Sequence, residues 1–559
     1  MTNADPGAYG SSWLSATRVA GPQRPRLGVE LDIDVCVIGA GLAGLTVARE
    51  VARRGWSVVV LEAQSVAWNA SGRNTGFVLP GYAASGSALV TRVGADHARK
   101  LWQLSEQGAE YVRRAAQDAA MEGVHLTEGG WLHVAKTDDA RAMQAEAELL
   151  ADGFGAPVGF RSAEQIREQL RSPLYFNGLH YPRGFSIHSL NYALGLAAAA
   201  ERDGARIYED SAALEIDPAG VRKRVTTKDA RVRAHHVVLA GNIHLANLMP
   251  QFAKTLLPVH TYVIVTAPLG AALHEAVRFP GAVSDTDLAD NHYCVVEGDR
   301  LMWSGRSTVW RGKPQDYVET LLGQIRRTFP QLKDVKAEYA WTGLLGNTVH
   351  LMPQIGEITP GLWLLSGFGN RGLNTTAVGG ELVARGIVEA DRTWQLFSPF
   401  ALVWSGGLSG RVAQQVFYWT SRLKEAVDGR MARRREEKRQ READEQSIAA
   451  ARAETAPEPA PAPPPEPVPA PPPEPSPVAP SQAAPEPVAD SPPIIAAEEA
   501  KVAPIEPFDA AAGPPKERPE ERPEERPEAR PREQSKRKRP PRSKKREADS
   551  AGEGPPTGG

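Results

Sequence analysis

Cysteine is nearly absent: Cys36 and Cys294 are the only two in 559 residues. That excludes a disulfide framework and a cysteine-based metal centre, and it suits a reducing cytoplasm. His235, His236 and His260 have no partner at metal-ligand spacing, so no metal is expected. No uninterrupted apolar run reaches the ~20 residues of a membrane-spanning helix. The first residues show no basic stretch followed by an apolar core, so no signal peptide is expected. The formal net charge is −2, which gives the chain no general attraction for nucleic acid or membranes. Proline is scarce and then abundant: 17 of the 47 precede residue 430 and 30 follow it. A folded body with a proline-rich tail is the expectation.

What is present begins at Asp34-Val-Cys-Val-Ile-Gly-Ala-Gly-Leu-Ala-Gly-Leu-Thr46. Ile33–Ile38 is apolar and β-branched, as a buried parallel strand requires. Gly39 allows a sharp turn. Gly41, without a Cβ, lets backbone approach a pyrophosphate, with Leu42 and Ala43 opening the helix beside it. Gly44 permits close helix–strand packing. Leu45, Ala48, Val51 and Ala52 recur at helical spacing, and Gly55 ends the helix. The helix N-terminus carries a partial positive charge suited to phosphate. A second strand, Ser57–Leu61, leads to Glu62 and Ala63, with Glu62 18 residues after Gly44. A carboxylate there accepts hydrogen bonds from a ribose diol and repels a 2′-phosphate. The pattern predicts a dinucleotide site that disfavours NADP.

Further along, Ala70-Ser-Gly-Arg-Asn-Thr-Gly76 is a polar glycine loop. Residues 95–122, 137–150 and 314–329 read as helices, and so does His188–Arg202. Gly130-Trp-Leu-His-Val134, Val232–Leu239, 258–267 and 292–306 read as strands. Trp363-Leu-Leu-Ser366 is a late buried strand. It enters Gly367-Phe-Gly-Asn-Arg-Gly-Leu-Asn374 and then a helix to about Glu389. Nucleotide-domain signals therefore recur at both ends of residues 31–390. The expected class is α/β, with a Rossmann-like domain interleaved with a β-rich α+β substrate domain. The expected division is a lead-in over 1–30, a cofactor domain over 31–90, 185–250 and 345–392, and a substrate domain over 91–184 and 251–344. A helical extension over 393–452 and a disordered tail over 453–559 complete it.

These motifs fall in an order that resembles the FAD-dependent D-amino acid oxidase superfamily, which includes glycine and sarcosine oxidases. Asp34–Thr46, Glu62, Ala70–Gly76, Ala240-Gly-Asn242, Pro353-Gln-Ile-Gly356 and Gly367–Gly372 carry the likeness. The Ala-Ser-Gly-Arg-Asn loop most resembles the gamma-glutamylputrescine oxidase-like branch. The likeness spans about residues 10–425. It implies FAD at the junction of two domains and hydride transfer from an amine carbon. Hydrolysis of the imine and reoxidation by oxygen, with release of hydrogen peroxide, would follow. It implies cofactor contacts from Ser71, Gly72, Arg73, Asn74, Thr75 and Gly76, from Gly241, and from Gly367, Gly369, Asn370, Arg371, Gly372 and Leu373. The helix after Gly372, with Thr375 and Thr376 near its cap, would face the flavin and stabilise its reduced, anionic form.

Departures from the family pattern matter. Some relatives tether FAD through a cysteine before the last glycine loop. Trp341-Thr-Gly-Leu-Leu-Gly-Asn347 contains none, so FAD is expected to be non-covalent. Sarcosine oxidases carry a lysine in a central strand, and Leu301-Met-Trp-Ser304 lacks it. That keeps open a dehydrogenase passing electrons to another acceptor. Arg371 and Asn374 replace family residues in the last loop. Arg371 suits a substrate carboxylate, a flavin carbonyl or a structural role. Asn374, His292, Tyr293 and Trp341 are the other substrate-side candidates, while Arg73 and Asn74 serve either cofactor or loop. A flavin-containing scaffold with a partner-binding tail is the non-enzymatic alternative. No catalytic base is named, because desolvation can hold the amine neutral.

Phe397–Leu423 is apolar and aromatic, with Trp404, Phe417, Tyr418 and Trp419. It suits a helix docked on the body, a partner surface or a membrane-surface anchor, and docking is preferred. From about Ala456 the composition is too poor in apolar residues for a core. Glu517–Glu528 repeats every four residues, and Ser535–Arg546 is a basic cluster. The cluster reads as a solvated tail, or as a weak contact for nucleic acid or anionic membrane.

Overall fold

The apolar run after Leu31 becomes the strand Leu31–Ile38 at the centre of a parallel sheet. The computed structural model describes residues 11–118, 121–286 and 291–454. Leu31–Ile38 pairs in parallel with Val58–Leu61 on one side and Arg231–Leu239 on the other. Arg206–Tyr208 extends the sheet beyond Val58–Leu61. Arg231–Leu239 is shared: Lys223–Thr226 runs antiparallel along its first half, and Leu362–Ser366 runs parallel along its end. The central strands are covered on both faces, which explains their unbroken apolar runs. Val35, Val37, Val58 and Val60 pack towards the helices. Cys36, Ile38, Val59 and Leu61 turn to a second core with Leu239, Leu245 and Leu364.

Helices Leu42–Arg53 and Ser189–Arg202 share the first of these cores with Gly372–Val388. Ala95–Ala116, expected as 95–122 in the substrate domain, packs against Gly372–Val388. Its buried stripe (Leu101, Leu104, Ala109, Val112) is one face of an amphipathic helix, and that face meets the helix layer. The lead-in holds a short helix, Trp13–Ala16, capped by Ser12, and Arg24 pairs with Glu201 at 2.7 Å.

The second sheet takes its strands from two separated stretches of chain. Its order is Ala337–Asn347, Leu257–Thr266, Arg300–Thr308, His292–Val296, Ala282–Asp285, Trp131–Val134, Gly178–Tyr181 and Gly159–Arg161. Among the described residues of this sheet, only Ala282–Asp285 and Trp131–Val134 pair in parallel. One face (Leu132, Ile264, Tyr293, Trp303) packs under helix Val318–Thr328. The opposite face carries Trp131, Val263, Cys294 and Trp341 into the core shared with the helices of the first sheet. The α/β class with interleaved sheets is as the sequence implies. Residues 137–150 resolve into Ala140–Glu148 with a wide turn, Leu149–Gly153.

The C-terminal helix begins later than expected. Thr393–Phe397 is a 3-10 turn, and the helix is Gly407–Glu454. Gly406 and Gly407 both take positive φ, which separates the two. The helix docks on the second sheet. Gln415 Oε1 accepts from Thr308 Oγ1 at 2.9 Å and Val309 N at 3.2 Å, and Arg422 Nη2 donates to Ser307 O at 2.6 Å. Glu436 pairs with Arg167 at 2.6 Å. No helix among the described residues is long and apolar enough to cross a membrane. The expectations for the tail, including the Glu517–Glu528 repeat and the basic cluster, lie outside the described residues.

Candidate cofactor and substrate site

Gly39 turns the chain at φ 103, and its N–H donates to Leu61 O at 2.9 Å, so the turn closes on the end of the second strand. A Cβ at Gly44 would lie 2.0 Å from Gly39 O, so helix and turn approach as only glycine permits. At Gly41 a Cβ would meet Ser71 Oγ at 2.9 Å. That hydroxyl accepts Leu42 N at 3.0 Å, so the Ala70–Gly76 loop rests on the opening of the nucleotide helix. Glu62 accepts Ala40 N at 2.8 Å and Gln64 N at 2.9 Å. Burial pushes its pKa up, against the pull of those backbone donors.

The loop is held by its own side chains. Asn74 Nδ2 donates to Ala70 O (3.0 Å) and Ser71 O (2.9 Å), and Asn74 Oδ1 accepts Gly76 N (2.9 Å). Arg73 Nε donates to Trp68 O at 3.0 Å, and its guanidinium lies over the Trp68 ring. Burial, with Arg311 nearby, lowers the Arg73 pKa. Gly72 and Gly76 stand where a Cβ would strike Ala67 O and Ile187 O.

Some three hundred residues later, Leu362–Ser366 ends at Gly367, and Gly369–Arg371 is a 3-10 turn into helix Gly372–Val388. The cap position is Arg371, and no side chain caps this helix. Thr375 and Thr376 do not cap it as expected. Their hydroxyls donate backwards, to Arg371 O at 2.5 Å and Leu373 O at 3.2 Å, because both already sit inside the helix.

These pieces converge on a cavity of about 610 Å3, within the range of small-molecule sites. It runs from Glu62 and Ala63, past Gly39, Gly41, Leu42, Ala43, Ser71, Arg73, Asn74, Thr75 and Gly241, to Gly369, Asn370, Gly372 and Leu373. Gly44, Gly72, Gly76, Gly367 and Arg371 are not among its lining residues; the four glycines shape the backbone behind it. Asn347 Oδ1, beside Gly369, is buried with no hydrogen-bond partner among the described residues. A long cavity with an acid at one end, a glycine turn, and a second helix start further on fits a dinucleotide carrying a large ring. Among the described residues no cluster suits a metal.

Three substrate-side expectations need correction. Tyr293 is fully buried, stacked on Trp303 at 4.6 Å and bonded to Tyr175. Strand alternation sends it to the helix side and sends its neighbour His292 to the cavity. Trp341 is buried, and its Nε1 donates to Arg73 O at 2.9 Å, so it holds the loop and does not line the wall. Asn374 is 1% exposed and donates to Gly81 O at 2.9 Å. In the first turn of the helix, it faces the Ala95–Ala116 layer.

The wall joins His292, a candidate from the sequence, to Phe77 and Trp131, which the sequence did not single out. Phe77, Trp131 and His292 meet edge to face, with centroids 5.2, 5.7 and 6.1 Å apart. Trp131 Nε1 donates to Ser284 Oγ at 2.8 Å, and Arg371 lies over its ring at 5.4 Å. Thr261, Val263 and Ser304 line the cavity nearby. The one sequence signal for Trp131 is the Gly129-Gly130 pair before it, which marks a close backbone approach.

Comparison with known proteins agrees with this geometry. Residues 34–385 match the DAO family, described as FAD dependent oxidoreductase. The chain is 32% identical over 364 residues to the gamma-glutamylputrescine oxidoreductase of Escherichia coli K12, covering 64% of this chain and 84% of that one. It is 29% identical over 379 residues to the probable oxidoreductase OrdL of Haemophilus influenzae, covering 65% and 85%. Its fold resembles glycine oxidase from Geobacillus kaustophilus (TM-score 0.58, 21% identity, 67% of this chain and 99% of that one). It also resembles L-proline dehydrogenase from P. horikoshii (TM-score 0.57, 16% identity, 66% and 96%). The chain therefore belongs to the FAD-dependent oxidoreductase family of D-amino acid oxidase type.

Proposed function

We propose that this protein oxidises a C–N bond of an amine or amino acid, with oxygen as the electron acceptor and hydrogen peroxide as the product. The observation that carries the reading is one continuous cavity joining the Glu62 and Gly41 turn to the Phe77, Trp131 and His292 wall. FAD, held non-covalently, would take up the hydride. Glu62 would hold its ribose, the Leu42–Arg53 helix start its pyrophosphate, and the uncapped start of Gly372–Val388 the negative charge of its reduced ring. The wall excludes water, and Arg371 adds a positive charge beside it. Both effects disfavour an ammonium ion and favour the neutral amine that oxidation requires. Arg371 also suits a carboxylate on the substrate.

The segments 31–90, 185–250 and 345–392 would act as the cofactor part, and 91–184 and 251–344 as the substrate part. The two sheets support that division. Two free, buried cysteines suit a cytoplasmic location. A dehydrogenase using another acceptor is the second reading, favoured by the lack of lysine among the described lining residues. Anaerobic mixing of the flavin-loaded protein with polyamines, D-amino acids and N-methyl amino acids tests the proposal: one class should bleach the visible absorbance. Readmitted air should restore the absorbance with stoichiometric peroxide. Bleaching without peroxide selects the dehydrogenase, and no bleaching by any amine removes both.

A further inference from the structure

The helix Gly407–Glu454 has two unlike long faces. The inner one is fixed to the body through Gln415, Tyr418 and Arg422. On the outer one, Leu408, Val412, Val416, Trp419 and Leu423 follow at spacings of three and four, which align on a helix. Their exposures are 68%, 49%, 45%, 59% and 69%, and Trp404, just before the helix, is 64% exposed. Two tryptophans with four aliphatic side chains exceed what single scattered surface apolar residues explain, since one buried tryptophan alone covers roughly 150–250 Å2. Residues 407–435 also hold six basic side chains besides the docked Arg422, and two acidic ones.

We propose that this outer face lies in the interface of an anionic lipid surface. An apolar stripe with tryptophan at headgroup depth, flanked by arginine and lysine, is the arrangement that buries side chains in the acyl boundary and pairs cations with lipid phosphates. The charge selects this occupant over a second copy of the chain. A two-fold contact brings the same patch against itself, and with it the same excess of positive charge. Because the inner face is bonded to the second sheet, the stripe is presented rigidly. The helix lies along the surface and does not cross it.

The test is flotation of the full-length, flavin-loaded protein with vesicles of phosphatidylcholine alone and of phosphatidylcholine mixed with phosphatidylglycerol. Binding to the mixed vesicles, weakened by added salt, is expected. The variant Trp404→Ser/Trp419→Ser/Leu423→Ser should lose roughly ten-fold or more in partitioning. Its flavin absorbance should be unchanged, since none of the three residues lines the cavity. Three results would overturn the proposal. One is absence of binding to mixed vesicles. Another is unchanged binding by the variant, which would assign lipid contact elsewhere, such as to Lys536–Arg546. The third is a dimer in sedimentation velocity that the variant alone dissolves, which would make a second copy the occupant.

Discussion

Trp341 Nε1 donates to the carbonyl oxygen of Arg73 at 2.9 Å, across 268 residues of sequence. The bond ties the edge strand of the second sheet to the loop that rests on the nucleotide helix. Trp341→Phe keeps most of the packing but leaves the Arg73 carbonyl without that donor. Loss of one such buried bond costs about 1–3 kcal/mol. If half of that falls on the loop, FAD should bind roughly 3- to 10-fold more weakly, read by quenching of flavin fluorescence.

Gly41 and Gly44 should fail differently. At Gly41 the added side chain meets only Ser71 Oγ and the space above the helix start. Gly41→Val should therefore fold and be purified without flavin, and full flavin content would contradict the site. At Gly44 the obstacle is backbone, Gly39 O at 2.0 Å. Gly44→Ala should lower the unfolding temperature of the whole protein by several degrees, as a cost of about 1–3 kcal/mol implies.

FAD affinity should fall on acidification. Burial raises the pKa of Glu62 above the ordinary glutamate value of about 4.3. Ribose hydroxyls donate more strongly to the ionised form, which accepts at both oxygens, so binding favours the carboxylate. Affinity is therefore full above that raised pKa and declines as pH falls through it. Titrating apoprotein with FAD over a window of falling pH should show the decline. Glu62→Gln should bind weakly with a flat profile over that window.

Asn374 and Trp131 separate stability from substrate handling. Asn374→Ala removes the donor to Gly81 O and should cost about 1–3 kcal/mol of stability with KM unchanged. Trp131→Ala opens the cavity wall and frees Arg371 from its ring. Its KM should rise, with flavin content retained. A raised KM in the Asn374 variant would restore that residue to the substrate side.

Removing residues 456–559 should leave flavin content and turnover unchanged. Every described lining residue of the cavity lies between Ile38 and Thr376. Loss of flavin or turnover on truncation would mean that the tail belongs to the catalytic unit.

The cofactor end was readable from the chain because its determinants are local. A strand, three glycines and an acid act within some thirty residues of one another, and each constraint (a turn, a close approach, a charge at a strand tip) is written in a residue type. The glycine loop at Gly367 is legible for the same reason. The substrate wall is not local. Phe77, Trp131 and His292 come from three separate strands, and no spacing in the sequence relates them. His292 and Tyr293 are equivalent by composition, and only the register of their strand in the second sheet decides which faces the cavity. Trp341 and Asn374 looked like wall and contact, yet each is consumed by a backbone carbonyl from a distant segment. Backbone chemistry at short range is set by residue identity, whereas the lining of a pocket between sheets is set by which faces meet when they pack.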